Sequence, residues 1–261
     1  MKSFPVVFGV CLDAEAIWLG KSPENAAKPV LLSHGAFEVR EGLAPFLELL
    51  DAHQIRSTFF VPGISAERYP EATREIFRRG HEVAGHGHRH LSPAILDAAP
   101  ERAELRAGQD MLEHVVGRRP VTWRSPSWEF SAHTIDYLLD EGISVSTNFH
   151  DSTRPYRHMR GGQPLPLVEL PVEWHLADAT FFLHGGLPGR QIWPPLLIEE
   201  MWKEDFRGLY ERPGSFFHLT LHIQLIAHPG RLRMLDRLIR FIKEHPDAYF
   251  TRCDELAATI A

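Results

Sequence analysis

Cysteine is scarce: two residues of 261, Cys11 and Cys253, and no C-x-x-C pair. That rules out a disulfide framework and a zinc knuckle, and suits a reducing compartment. Basic residues are not in excess either. Lys and Arg number 28 against 34 Asp and Glu, a formal charge of -6, so the chain lacks the cationic face of a general nucleic-acid binder. No apolar stretch reaches the ~20 residues of a membrane helix. The apolar run after Met1-Lys2-Ser3-Phe4-Pro5 is short for a signal peptide and lacks a small-x-small cleavage site. A cytoplasmic protein with neither membrane nor nucleic acid as partner is the expectation. Internal repeats and low-complexity linkers are also missing, so a single domain over 1–261 is expected.

What is present is an ordinary globular composition, 44% hydrophobic and 24% charged, arranged as alternating short apolar runs and amphipathic stretches. Residues 6–12 form a near-continuous apolar run of buried-strand length. Leu43, Phe46, Leu47 and Leu50 fall at i, i+3, i+4 and i+7, which predicts a helix over 41–53. Further strands are expected at 58–61, 81–84, 167–170, 215–221 and 248–251. Helices are expected at 70–79, 99–116, 131–141 and 197–210 and around Leu235 to Ile242. The alternation argues for a mainly parallel sheet in an α/β fold, open or closed into a barrel. Residues 149–166 and 183–195, rich in Gly, Pro or Arg, read as long loops of the kind that shape pockets at strand ends.

The chemistry concentrates after predicted strands. Gly85-His86-Gly87-His88-Arg89-His90 carries three imidazoles. His86 and His90, four apart, would share one side of a helical turn and could share one ion, with His88 pointing elsewhere. A hydrolytic ion usually takes a third, carboxylate ligand. Asp13, just past the first strand, is placed to supply it, because all carboxyl ends of a parallel sheet lie on one face. The alternative is that these histidines only cap a helix. His222 ends another strand and could serve as a general acid near neutral pH or be a satisfied buried histidine; His218 on that strand reads as structural. Arg124-Ser125-Pro126-Ser127-Trp128-Glu129-Phe130 combines a fixed cation with an aromatic wall, either a pocket or a packed turn.

Together these segments resemble the polysaccharide deacetylase family, in its branch that includes peptidoglycan-deacetylase-like and allantoinase-like members. The resemblance runs from about Val6 to Ala257. It is carried by Asp13-Ala14-Glu15-Ala16-Ile17-Trp18-Leu19, Thr58-Phe59-Phe60-Val61-Pro62-Gly63, and Gly80-His81-Glu82 leading to His86-x-x-x-His90. Further matches are Ser127-Trp128-Glu129-Phe130-Ser131, Val168-Glu169-Leu170-Pro171 and Leu221-His222. It implies a deformed (β/α) barrel and a divalent ion, zinc or similar, held by Asp13, His86 and His90. It also implies His222 as catalytic acid, Arg124 near the base, Trp128 and Trp18 as substrate-binding residues, and hydrolysis of a non-peptide C–N bond.

One departure from the family pattern matters. The base aspartate expected one or two positions before the metal aspartate is replaced by Cys11 and Leu12. Glu15 taking the proton, Cys11 participating as a thiolate or nucleophile, and a weak or non-catalytic metal-binding relative are the three readings. The expected substrate is a small N-acyl or cyclic amide, with a carbohydrate N-deacetylase as the alternative. A homo-oligomer is expected, with 183–210, including Trp193 and Trp202, as a contact.

Overall fold

The computed structural model describes residues 3–184 and 191–260. Among these residues nine strands form one sheet: β1 (Phe4–Cys11), β2 (Thr58–Val61), β3 (Glu82–Gly85), β4 (Thr122–Trp123), β5 (Val145–Ser146), β6 (Tyr156–Arg160), β7 (Gln163–Glu169), β8 (Phe217–His222) and β9 (Ala248–Phe250). Their order is β6-β7-β5-β4-β3-β2-β1-β8, with β9 paired to the start of β1. All pairings are parallel except β6 with β7. Parallel neighbours require long crossovers, and helices supply them, among them Leu43–Ala52, Pro70–Arg78, Ala98–Val116, Thr134–Asp140 and Pro229–Lys243. Beyond β8, an isolated parallel bridge pairs Ala177 with Thr220, and the mainly parallel sheet with its helices has the architecture of a deformed α/β barrel.

Side-chain alternation on β1 divides the core. Val6, Phe8 and Val10 join the large apolar cluster between sheet and helices, with Phe59, Leu219 and Leu221. Val7 and Cys11 face inward, among Phe60, Ala84, Val168 and Leu170. Gly9 shares that inward face. A Cβ there would lie 2.6 Å from Arg124 Nη2 and 2.9 Å from His218 Nε2, so the missing side chain is what admits the Arg124 guanidinium to the barrel interior.

Three expectations need correction. Residues 149–166 are not simply a loop: Tyr156 to Glu169 contains the antiparallel β6–β7 hairpin, anchored where His158 Nε2 meets the buried Glu169 carboxylate at 2.8 Å. The helix expected at 41–53 is Leu43–Ala52, preceded by Pro29–Phe37 and one π-helical turn, Glu38–Gly42. Trp202 is fully buried on helix Pro195–Tyr210 and donates from Nε1 to His175 O at 2.9 Å, so it cannot belong to a surface contact. Trp193 is exposed. Of the loop expected at 183–195, residues 185–190 lie outside the described residues.

Candidate active site

Asp13, His86, Arg124, Thr147 and His222 all lie at or just beyond the carboxyl ends of parallel strands, the face on which α/β barrels build their sites. Asp13 is fully buried, and among the described residues neither carboxylate oxygen has a hydrogen-bond partner. Oδ1 lies 3.6 Å from His86 Nε2 and 3.8 Å from His90 Nε2, and Oδ2 lies 4.0 Å from His222 Nε2. A buried carboxylate without partners costs several kcal/mol unless something compensates it. One oxygen and two imidazole nitrogens converging within 4.8 Å fit the donor set of a borderline divalent cation.

The imidazoles are prepared for that use. His86 Nδ1 lies 2.8 Å from Arg124 O. A carbonyl only accepts, so Nδ1 carries the proton and Nε2 presents its lone pair toward Asp13. Burial pulls the titration of His86 and of His90 down to about 4, which keeps both neutral, as ligands must be. The two do not share a helical turn, as the spacing suggested. A bend brings them together, with Gly87 at φ +68° and His90 at φ +61°. Ala14, Ser127 and Trp128 also have positive φ, so four of the five such non-glycine residues flank this one cleft. Strained backbone of this kind clusters at functional sites. His88 turns away, its Nδ1 against Gly63.

His222 has its own carboxylate partner. Asp178, fully buried, accepts from the His222 backbone N–H at 2.8 Å and meets Nδ1 at 2.7 Å. Burial alone would lower the His222 pKa. Cys11 and Asp178, both facing the ring, outweigh it and hold the pKa well above the ordinary histidine value. Arg124 donates from Nε to Thr147 Oγ1 at 2.9 Å and from Nη2 to His218 Nε2 at 3.1 Å, and its Nη1 lies 3.9 Å from Cys11 Sγ. His218 is held neutral, down to about 3, by burial and by the Arg124 charge. Among the described residues no carboxylate lies within ion-pairing distance of Arg124; the guanidinium packs instead on the Phe60 ring, 3.9 Å from its centre.

Glu15 takes a different place. Its carboxylate accepts from Tyr69 Oη at 2.8 Å and faces Arg68, and it does not line the cleft. Trp18 is buried, with Nε1 donating to Gln224 Oε1 at 3.1 Å, and it too is absent from the lining. Cys11, His86, His90, Arg124, Trp128 and His222 do line it, around a cavity of about 540 Å³ whose outer walls include Ile17, Trp174, Leu183 and Trp193. Trp128 and Trp174 pack with ring centres 4.6 Å apart.

Two residues the sequence did not point to belong here: Asp178, and Glu38 in the π-helical turn. Glu38 Oε2 accepts from the Ala14 backbone N–H, while its buried Oε1 has no partner among the described residues. Burial, with Asp13 beside it, raises the Glu38 pKa well above the carboxylate range. No apolar periodicity in the sequence around residue 38 marks this carboxylate as buried.

The sequence profile of the family described as polysaccharide deacetylase matches residues 26–146. A crystal structure from Mycobacterium smegmatis assigned to polysaccharide deacetylases superposes with a TM-score of 0.91 at 33% identity, covering 98% of this chain and 90% of that one. The chain belongs to the polysaccharide deacetylase family. It is thereby a hydrolase of the class acting on non-peptide carbon–nitrogen bonds. Among similar deacetylases is the peptidoglycan deacetylase of Helicobacter pylori, 29% identical over 98% of this chain and 96% of its own length. The structure of Puue allantoinase shares the fold, with a TM-score of 0.85 at 23% identity over 97% of this chain and 89% of its own. Among the described residues, no helix is long and apolar enough to cross a membrane.

Proposed function

We propose that this deacetylase-family chain is a metal-dependent hydrolase of a small N-acyl or cyclic amide. The observation that carries the reading is the fully buried Asp13, its oxygens unpartnered and facing His86 and His90 Nε2. Those three residues would hold a divalent ion, zinc by donor type. When bound, that ion supplies a Lewis acid for the amide carbonyl and lowers the pKa of water.

The chain's own residues do the rest. Asp178 fixes the ring of His222, so that Nε2 carries the proton toward the cleft and gives it to the leaving nitrogen as the C–N bond breaks. Cys11 stands where the family pattern places its base aspartate, and its sulfur faces the same cavity; as the thiolate, Sγ accepts the proton from water. Glu15, committed to Tyr69 and Arg68, is poorly placed for that role. Arg124 holds the corner between Cys11 and His218. Ile17, Trp174, Leu183 and Trp193 line the cavity and offer an apolar body more contact than a hydroxyl-rich one, which favours a compact amide over a glycan. A carbohydrate N-deacetylase is the second reading, supported by the name of the Helicobacter relative and by the Trp128–Trp174 pair, a surface on which a sugar ring could stack.

The test is metal content of purified protein, followed by hydrolysis of N-acetyl arylamines, hydantoins and cyclic imides beside N-acetylglucosamine oligomers, before and after chelation and zinc reloading. Turnover of a small amide that is lost on chelation and regained with zinc is expected. Chelator-insensitive turnover overturns the metal reading, and turnover of the oligomers alone overturns the small-amide one.

A further inference from the structure

Asp13 faces two sets of donors, not one. Oδ1 is the oxygen near His86 and His90, and Oδ2 is the oxygen near His222. Cys11 Sγ, an Asp13 oxygen and His222 Nε2 form a second group whose donor atoms all lie within 4.8 Å of one another. We propose that Cys11, Asp13 and His222 constitute a second cation position, selective for thiophilic divalent ions, adjoining the first and bridged to it by the Asp13 carboxylate. The proposal rests on the reading of Asp13, His86 and His90 as the first position.

Three features support it. Donors about 2.0–2.3 Å from an ion lie at most roughly 4.6 Å apart, and the 4.0 Å between Asp13 Oδ2 and His222 Nε2 is within that span. Both Asp13 oxygens are buried and unpartnered, whereas one ion held through Oδ1 would leave Oδ2 orphaned. The His222 ring is dressed as His86 is: an outer acceptor holds Nδ1, Asp178 here and Arg124 O there, leaving Nε2 to face inward. That is the arrangement of metal-ligating histidines.

Occupation of the second position requires Cys11 as thiolate and His222 neutral, so any proton on either is released to solvent. The bound ion then occupies both groups that the hydrolytic reading needs free. Excess thiophilic metal is therefore an inhibitor. The second ion binds more weakly than the first, because the neighbouring ion and the Arg124 guanidinium oppose it.

The test strips the full chain with chelator and titrates it with Co²⁺ and with Cd²⁺. Bound metal is counted by equilibrium dialysis and elemental analysis, and thiolate ligation is read as ultraviolet charge-transfer absorption. The wild type should bind two equivalents, the second at least tenfold weaker, with the thiolate band growing only with the second. Cys11→Ser and, independently, His222→Gln should each bind one, and Cys11→Ser should show no band. Cys253→Ala, which alters a buried cysteine outside the group, should retain two equivalents and the band. One equivalent without a thiolate band in the wild type, or a band that survives Cys11→Ser, overturns the second position and leaves the first intact. No bound equivalent at all removes both.

Discussion

Position 11 decides how this site differs from its family pattern. A carboxylate there would pair with Arg124; sulfur leaves the guanidinium to His218, Thr147 and the Phe60 face. If Cys11 accepts the proton, Cys11→Ala should lower kcat by about 10²–10⁴ with KM little changed, and Cys11→Asp should match or exceed wild type; an unchanged kcat in Cys11→Ala would assign the proton elsewhere. Asp178→Asn tests the opposite end. Without the Asp178 charge at Nδ1 the doubly protonated ring is no longer favoured and the Nε2 proton belongs to a neutral, far weaker acid, so a loss of about 10²-fold or more in kcat is expected, with the ion at Asp13, His86 and His90 retained. Asp13, His86 and His222 were legible as candidates because each follows a recognisable apolar run; Arg124 follows only the two-residue β4 and was marked by its Ser-Pro-Ser-Trp surroundings. Asp178 and Glu38 were not. Each reaches its partner across 44 and 24 residues, and no local spacing records such a contact.

Elements carry the site by close approach of backbones. Helix Pro29–Phe37 passes so near the Asp13 turn that a Cβ on Gly35 would sit 2.4 Å from Ala14 O and 2.6 Å from Glu15 N. An alanine in its place would gain up to about 1 kcal/mol in helix propensity, but the clash is with backbone and cannot be relieved by a rotamer change. Gly35→Ala should lose about 1–3 kcal/mol of stability and weaken metal binding further, both measurable by denaturation and metal titration. This helix went unread because its apolar residues do not repeat at helical spacing, and the hairpin at 156–169 because Gly161, Gly162, Pro164 and Pro166 punctuate it like a loop. At the opposite end of β3, Glu82 accepts from Thr58 Oγ1 at 2.6 Å and Thr122 Oγ1 at 2.5 Å. Burial, with Asp254 nearby, raises its pKa from 4.5 to about 7. Its protonated form is the stable one in the fold, so its contribution is full below pH 4.5 and lost as pH rises through 7. Glu82→Gln should be nearly neutral at pH 5 and relatively stabilising by roughly 2–3 kcal/mol at pH 8, read from urea unfolding at both pH values.

At the scale of the whole molecule, under the proposed reading, metal binding and folding stability are one linked quantity. The fold buries Asp13 and Glu38 together, with three oxygens lacking partners among the described residues, and brings in the cationic His222 and Arg124 as incomplete compensation. An ion that binds the native state at 100 times its dissociation constant adds about 2.7 kcal/mol, which for a chain of this length is about 5–10 °C in Tm. Stripped protein should melt lower by that amount and recover on reloading. Asp13→Asn separates the two contributions. It removes a buried unpaired charge, so the stripped variant should melt at or above the stripped wild type, a gain of up to about 2 kcal/mol of the kind found when functional sites are relaxed, while zinc should no longer raise its Tm. A stripped Asp13→Asn protein that melts well below stripped wild type would mean that the carboxylate already has a stabilising partner in the fold, and the case for a cation between Asp13 and its histidines would fail with it.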